Sequence, residues 1–523
     1  MERLSGLDAS FLYLETPQMH MHVAMVAVLD PSEMPGGYSF ERMTELIESR
    51  IHLVPPMRRR LLEVPFGLHH PLWIDDPHFD IIHHVRRVAC PAPGGMRELG
   101  ALAGRITSTP LDRSRPLWEA WVIEGLENGH VAILCKVHHS TVDGASGAGL
   151  LVHLFDLQRQ VSSPPPPRKK TAEDLPTHGD LVRYALLSRV KQPVEAARLA
   201  TKTARAVSDL IRLRRDPEVE HGAAPLTAPR THFNGAITAK RNAAFARLPL
   251  DGIKTIKRAF DCKVNDVVLA VCAGALRRYL AARNELPEIP LIAAVPISVR
   301  ASSEKGQSNN KVSAMFTSLA THVEDPGERL LTIASTTRGA KEEHNAIGAD
   351  MLQNWAEFAA PTTFNLAARF YTRLKIADRH RPIHNLVISN VPGPPFPIYM
   401  AGAELVAAYP MGPVMEGAAL NITVMSYKGS VDFGFMVAAD SMPDVWDLAD
   451  QIEPAYLELI ESAQRRAEDL AQDAMIAAQK ASAKARSALE VAASVGQVAK
   501  ELGVAPDEEQ AHQDGDDAQP DAE

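Results

Sequence analysis

Cysteine is scarce in this chain of 523 residues: Cys90, Cys135, Cys262 and Cys272 lie far apart, with no CxxC pair. Most have apolar neighbours and read as buried, reduced thiols suited to a reducing compartment. Long apolar runs are missing too. The longest, Val267 to Leu276, falls far short of the roughly 18 residues that span a bilayer, so membrane contact must be peripheral. The opening Met1 to Gly6 lacks the basic region and apolar core of a secretory signal. An excess of positive charge is also absent. The net charge is −9, much of it between Asp507 and Glu523, which argues against a nucleic-acid binder with a dominant basic surface. There is no GxxxxGK[ST] and no HExxH, and Gly144 to Gly149 does not match GxGxxG, so neither a nucleotide cofactor nor a zinc-protease site is indicated.

What is present is an ordinary globular composition, 46% apolar and 23% charged, in a chain long enough for two domains plus appendages. Apolar strand-like runs interleave with amphipathic helical runs in both halves, so the class is α/β or α+β. Residues 1–160 read as one domain. It includes a helix over Phe40 to Ile51, a buried strand over Val131 to Val137 and a helix over Leu150 to Leu157. Residues 161–230 read as a connector. Ser162 to Pro167 is a stiff, extended Pro-rich run, and Leu181 to Leu213 is helical. Between Arg168 and Arg215 there are about 12 basic against about 5 acidic residues. That stretch is either a solvated crossover or a surface for anionic lipid headgroups. Residues 231–457 read as a second domain, with a helix over Asn265 to Ala282 and strands at Leu291 to Ile297, Leu386 to Ser389 and Val431 to Val437. Residues 458–523 read as an Ala-rich helix ending in an acidic, disordered tail.

Three adjacent histidine pairs occur: His69-His70, His83-His84 and His138-His139. A pair alone therefore carries little information. Only the third follows a buried strand and precedes an Asp-Gly, in His138-His139-Ser140-Thr141-Val142-Asp143-Gly144. Neighbouring side chains on an extended backbone point to opposite sides, so one imidazole can enter a cleft while the other supports the strand. Asp143 can hold an orientation through an ion pair, and Gly144 permits a tight turn. Histidine titrates near neutrality and, placed against a hydroxyl, can act as a general base. Gly144-Ala145-Ser146-Gly147-Ala148 misses the GxSxG elbow at its last position, so direct attack by the acceptor hydroxyl is the simpler mechanism. The cluster His69, His70, His78, His83 and His84 lacks metal-ligand spacing, and no metal is expected.

The HHxxxDG run resembles the active-site motif shared by chloramphenicol acetyltransferases, carnitine acyltransferases and condensation domains. Further runs narrow the resemblance: Leu7 to Phe11, Pro116-Leu117-Trp118-Glu119, Asn265-Asp266, Pro296 to Arg300, Asn385 to Pro394, Leu420 to Thr423 and Ser426-Tyr427. Together, over roughly Met1 to Leu457, the chain resembles the bacterial wax ester synthase/diacylglycerol acyltransferase family. The resemblance implies two chloramphenicol-acetyltransferase-like domains with an active-site tunnel at their interface. It implies His139 as the base, His138 as its support, and Asp143 as a structural residue with Arg300 as candidate ion-pair partner. Pro116, Leu117 and Trp118 either pack around the cleft or line a substrate pocket. Asn265 and Asp266 either cap a helix or reach the acceptor. Ser389 to Gly393 is either a strand-to-turn device or, through the polar Ser389 and Asn390, a lining of the tunnel or a stabiliser of the oxyanion. One departure stands at Asn309, where the family commonly has Gly; Asn tolerates positive φ better than most residues.

The resemblance implies transfer of a long-chain acyl group from acyl-CoA, as substrate, to diacylglycerol, a long-chain alcohol or both, with no cofactor. It implies a cytoplasmic enzyme peripheral to the inner membrane face or to lipid inclusions. The alternatives are an acyltransferase for another lipid or a polyketide alcohol, and a non-catalytic lipid-binding protein that kept the fold.

Overall fold

The computed structural model describes residues 2–141, 152–166, 177–214, 222–224, 226–298, 312–347 and 361–503. Asp143, Gly144, Arg300 and Asn309 lie outside the described residues, as does the acidic end. Contacts divide the chain into two units, Met1–Ser462 and Ala463–Glu523.

Among the described residues the first unit holds two six-stranded sheets and a small three-stranded one. The small sheet joins Glu2–Arg3 (β1), Leu72–Asp75 (β4) and Arg59–Leu62 (β3). The first large sheet comprises Tyr399–Met400 (β12), Ala403–Met411 (β13), His22–Asp30 (β2), Val131–His138 (β7), Trp118–Glu124 (β6) and Val85–Ala89 (β5), in that order. Only β5 and β6 pair in parallel. Central β7 is buried along nearly its whole length, as its continuous apolar run requires of a strand covered on both faces. The second large sheet runs Val312–Ser318 (β10), Ile292–Ser298 (β9), Leu386–Pro392 (β11), Leu420–Tyr427 (β14), Ser430–Ala438 (β15) and Arg241–Pro249 (β8).

The boundary read near residue 230 separates most strands of the two sheets, but β12 and β13 cross back to complete the first sheet beside β2. A bulge in β13 between Leu405 and Ala407 is held by the other sheet. Arg247 of β8 donates to the Val406 carbonyl at 2.7 Å, and buried Asp432 of β15 accepts the Ala408 N–H at 2.9 Å. The two side chains pair with each other at 2.9 Å. Each therefore satisfies a group that the bulge removes from the ladder.

Among the described residues the α-helices are Gly6–Leu14 (α1), Phe40–Arg50 (α2), Met96–Thr107 (α3), His178–Arg214 (α4), Leu250–Phe260 (α5), Val264–Ala282 (α6), Pro326–Ile347 (α7), Pro361–Arg373 (α8), Val445–Ala449 (α9) and Ile452–Glu501 (α10). Helix α2 starts where Ser39 Oγ accepts the Arg42 N–H, and it buries Met43, Leu46 and Ile47, the three-and-four spacing of an amphipathic helix. Helix α3 lies on the edge strand β8. A Cβ at Gly104 would stand 2.6 Å from the Arg241 carbonyl oxygen, and one at Gly100 would stand 2.6 Å from that of Ala243. The two bare faces let the helix backbone rest on the strand and cover its open edge. In the second unit, α10 continues from Ala463 with Leu470, Met475 and Leu489 exposed among alanines.

Two expectations are corrected. The helix over Leu150 to Leu157 is confined, among described residues, to 152–154. Asp156 is already extended and bridges Tyr399, held there by buried Arg50 at 2.7 Å and by the Ser162 hydroxyl. Arg50 also donates to the Ser162 carbonyl, and His52 meets that of Pro165, so the Pro-rich run is tied to the first sheet's side. The Asn265-Asp266 cap works differently from the expectation. Lys263 occupies the N-cap, and Asp266, inside the first turn, accepts its N–H at 2.8 Å. Ser389 to Pro392 is the end of β11, and Gly393 leaves the strand, which agrees with a strand-to-turn run.

Candidate active site

The site starts from the end of β7. His138 is the last residue of the strand and lies opposite His22 of β2. Its N–H donates to the Leu117 carbonyl at 3.0 Å, while the His139 N–H donates to the Met21 carbonyl at 2.8 Å. Consecutive residues are thus clamped by the residues that lead into both neighbouring strands. The Thr141 N–H turns back to the His138 carbonyl at 2.9 Å, so the histidine pair sits at a fixed strand-to-turn corner.

The two rings have different environments. His138 is 1% exposed. Its Nδ1 accepts the Ser140 hydroxyl at 2.7 Å and the Ser140 N–H at 3.1 Å, which puts the proton of the neutral ring on Nε2. That Nε2 lies 3.7 Å from Glu15 Oε2. Glu15, just after α1, also accepts from Arg113 Nε at 2.8 Å and Nη2 at 2.5 Å. Burial pushes the Glu15 carboxyl up, but His138 and Arg113 outweigh it and bring it to about 2. Burial pushes His138 down, with Glu15 pulling the other way. His139 is half-buried and stacks on Phe11 of α1, with ring centroids 4.1 Å apart. Phe11 belongs to the Leu7 to Phe11 run, so the structure brings two sequence-predicted segments together at this ring.

Behind the pair lie groups that the sequence reading passed over. His20 and His22 stack at 5.6 Å. Burial pushes His20 down and His22 well down, so both are neutral near pH 7. Lys136 is fully buried and pairs with Glu119 at 3.1 Å. The alternation Met19-His20-Met21-His22 leading into a strand was the available signal for the histidines. None existed for Glu15 and Arg113, which are 98 positions apart.

Pro116, Leu117 and Trp118 form the neighbouring wall. Leu117 and Trp118 are buried in apolar clusters. Trp118 Nε1 donates to the Met57 carbonyl at 2.7 Å and its ring stacks on His84 at 4.6 Å. Leu117 therefore reaches the site through its carbonyl. In each of the other pairs one ring is buried in packing: His70 meets the Tyr13 hydroxyl at 2.7 Å, and His84 lies between Phe79 and Trp118.

Ser389, Asn390, Asn265 and Asp266 belong to the second sheet's side. Strand β11 pairs with β9 at Leu386 and Val387 only. Beyond that point β9 continues along β10 to Ser298, and β11 continues along β14 to Pro392. The sheet splays there, and Ser389 and Asn390 lie on one lip of the split. On β14, Asn421 Oδ1 accepts from Thr423 at 2.7 Å and from the Gly412 N–H at 3.2 Å. Burial raises the thiols of all four free cysteines, which makes them poor nucleophiles.

The chain matches the model of the wax ester synthase/diacylglycerol acyltransferase catalytic domain over residues 4–268 and that of the WS/DGAT C-terminal domain over residues 308–460. It is 42% identical over 470 residues to a putative diacylglycerol O-acyltransferase of Mycobacterium tuberculosis, covering 90% of this chain and 92% of that protein. The solved wax ester synthase/diacylglycerol acyltransferase of Marinobacter aquaeolei VT8 is 30% identical and superposes with a TM-score of 0.63, over 89% of this chain and 100% of that one. The first condensation domain of the calcium-dependent antibiotic synthetase shares the fold at 16% identity and a TM-score of 0.54, over 88% of this chain and 96% of that one.

Proposed function

This chain belongs to the wax ester synthase/diacylglycerol acyltransferase family and is an acyltransferase, and we propose that it moves a long-chain acyl group from acyl-CoA to the hydroxyl of diacylglycerol or a long-chain alcohol, with His139 as the base. The observation that carries the assignment is the unequal pair. His138 is sealed and bonded to Ser140, while His139 keeps solvent contact on the same corner.

In this mechanism the acceptor hydroxyl gives its proton to His139 as its oxygen attacks the thioester carbonyl. The C–S bond then breaks, the CoA thiolate takes the proton from His139, and ester and free CoA leave. Acyl-CoA enters as a substrate, and the mechanism calls for no cofactor. His138 positions the corner; the Asp143–Arg300 ion pair that the family resemblance implies lies outside the described residues. The splay between β9 and β11 supports a substrate passage there, with Ser389 and Asn390 on its lip as candidate oxyanion donors. Among the described residues no helix is long and apolar enough to cross a membrane, and the basic α4 supports work at the inner membrane face or at lipid inclusions.

The test is incubation with long-chain acyl-CoA and either diacylglycerol or hexadecanol, following ester and free CoA. His139→Ala is expected to lose about 10²–10⁴-fold in rate, the contribution of a positioned base. Equal activity in that variant would remove His139 from the role. Free CoA without ester would point to a different acceptor alcohol.

A further inference from the structure

Five large apolar side chains stand exposed on neighbouring elements. Phe66, 85% exposed, occupies the tip of the turn Val64 to Leu68 at φ 60, a left-handed conformation that is unfavourable for a bulky residue. The start of α4 adds Tyr184 and Leu187, and a groove of about 770 Å³ joins Phe66, Leu187 and Arg183. Helix α8 adds Leu366 and Phe370, 70% and 58% exposed and four residues apart, hence on one face. Between the turn and α8 lies a cleft of about 370 Å³ lined by Leu12, Tyr13, Leu366, Arg369 and Arg113, the last being the partner of Glu15. The surroundings are cationic. From Pro361 to Ile383 there are five Lys or Arg and one acid, Asp378, and Arg183, Arg369, Arg373 and Lys375 are exposed. Glu63 lines the cleft and Asp180 lies near the start of α4, where it accepts from Thr177. Scattered apolar residues are ordinary, but a contiguous group ringed by cations marks a surface for an anionic, apolar-cored partner.

We propose that the face carrying Phe66, Tyr184, Leu187, Leu366 and Phe370 seats on an anionic phospholipid surface, with the cleft between α1 and α8 opening onto it. The inference rests on the reading of the acceptor as a lipid and names the face through which the enzyme meets it. The apolar rings enter the acyl region and the arginines stay at the headgroups, where Lys and Arg are held by the surface potential.

Flotation of the full chain with phosphatidylcholine vesicles, with and without phosphatidylglycerol, tests it. Binding is expected to need phosphatidylglycerol, to weaken with salt, and to fall about tenfold or more in Phe66→Asp or Phe370→Asp, since burying one such ring is worth a tenfold factor or more. Leu331→Asp, at an exposed position of α7, and His139→Ala are expected to bind like the native protein. The latter separates this inference from the catalytic assignment, because a protein with the wrong base still binds. Phe66→Cys carrying an environment-sensitive dye gives a second reading, with brightening expected on phosphatidylglycerol vesicles and none from the same dye at Leu331→Cys. Native-like binding by both Asp variants, a dark dye at position 66, or self-association that covers the patch in vesicle-free solution would overturn the proposal.

Discussion

Replacing Glu15 by Gln keeps the shape of the side chain and one acceptor oxygen while removing the charge that Arg113 and His138 share. The carboxyl is brought from its ordinary 4.5 to about 2. At 1.36 kcal/mol per unit, a difference of about 2.5 units corresponds to about 3 kcal/mol. Arg113 is 37% exposed, so screening reduces this to about 2–3 kcal/mol. The folded-state value is depressed, so this stability is present above about pH 4.5 and is lost as pH falls toward 2. Glu15→Gln is therefore expected to be less stable than the native protein by about 2–3 kcal/mol at pH 7, with the gap about halved at pH 3 and nearly closed at pH 2. Urea unfolding of both proteins across that range measures it. A gap that does not change with pH, or one below about 0.5 kcal/mol at pH 7, would refute the view that an ionised Glu15 anchors the histidine corner.

Gly104→Ala pits two effects against each other. Alanine favours the helix by about 1 kcal/mol, but its Cβ would meet the Arg241 carbonyl oxygen at 2.6 Å, an overpacking cost of about 1–3 kcal/mol. Net destabilisation in urea is expected, whereas Gly496→Ala, with nothing within 4 Å, should raise helicity by circular dichroism. Phe11→Ala removes the stack on His139 and should lower kcat/KM about 2–10-fold, the equivalent of one aromatic pair. Tyr427→Phe removes the hydroxyl that accepts the Ile398 N–H at 3.1 Å and donates to the Leu405 carbonyl at 2.9 Å. The two buried groups left unpaired should cost about 1–3 kcal/mol in unfolding free energy.

Local elements were readable because their signals are local. The apolar run Val131 to Val137 became β7 with one more residue, His138. Asn265 to Ala282 became α6 beginning one residue earlier, and Leu181 to Leu213 became most of α4. The histidine pair stood out from two similar pairs because a buried strand leads into it and an Asp-Gly follows, and in each of the other two one ring, His70 or His84, is buried in packing. What the sequence could not disclose depends on partners far along the chain. β13 is not among the strands read from the sequence, and nothing local marks it as the neighbour of β2, whose residues precede it by hundreds of positions. Asp156 leaves the helical pattern for Arg50, 106 positions away. Glu15 gains its meaning from Arg113 and His138, contacts that no spacing rule encodes.

The late return of β13 bears on how the protein is made. From the time Asp30 is synthesised until Met411 follows, at about 5–20 residues per second, roughly 20–75 s pass. Throughout that interval β2, which carries His22 opposite His138, has an unpaired edge on the side that β13 will fill. Open edges recruit foreign strands. The first half of the chain is thus a nascent species that a cell must shield, and synthesis of the first half alone should yield a protein that aggregates.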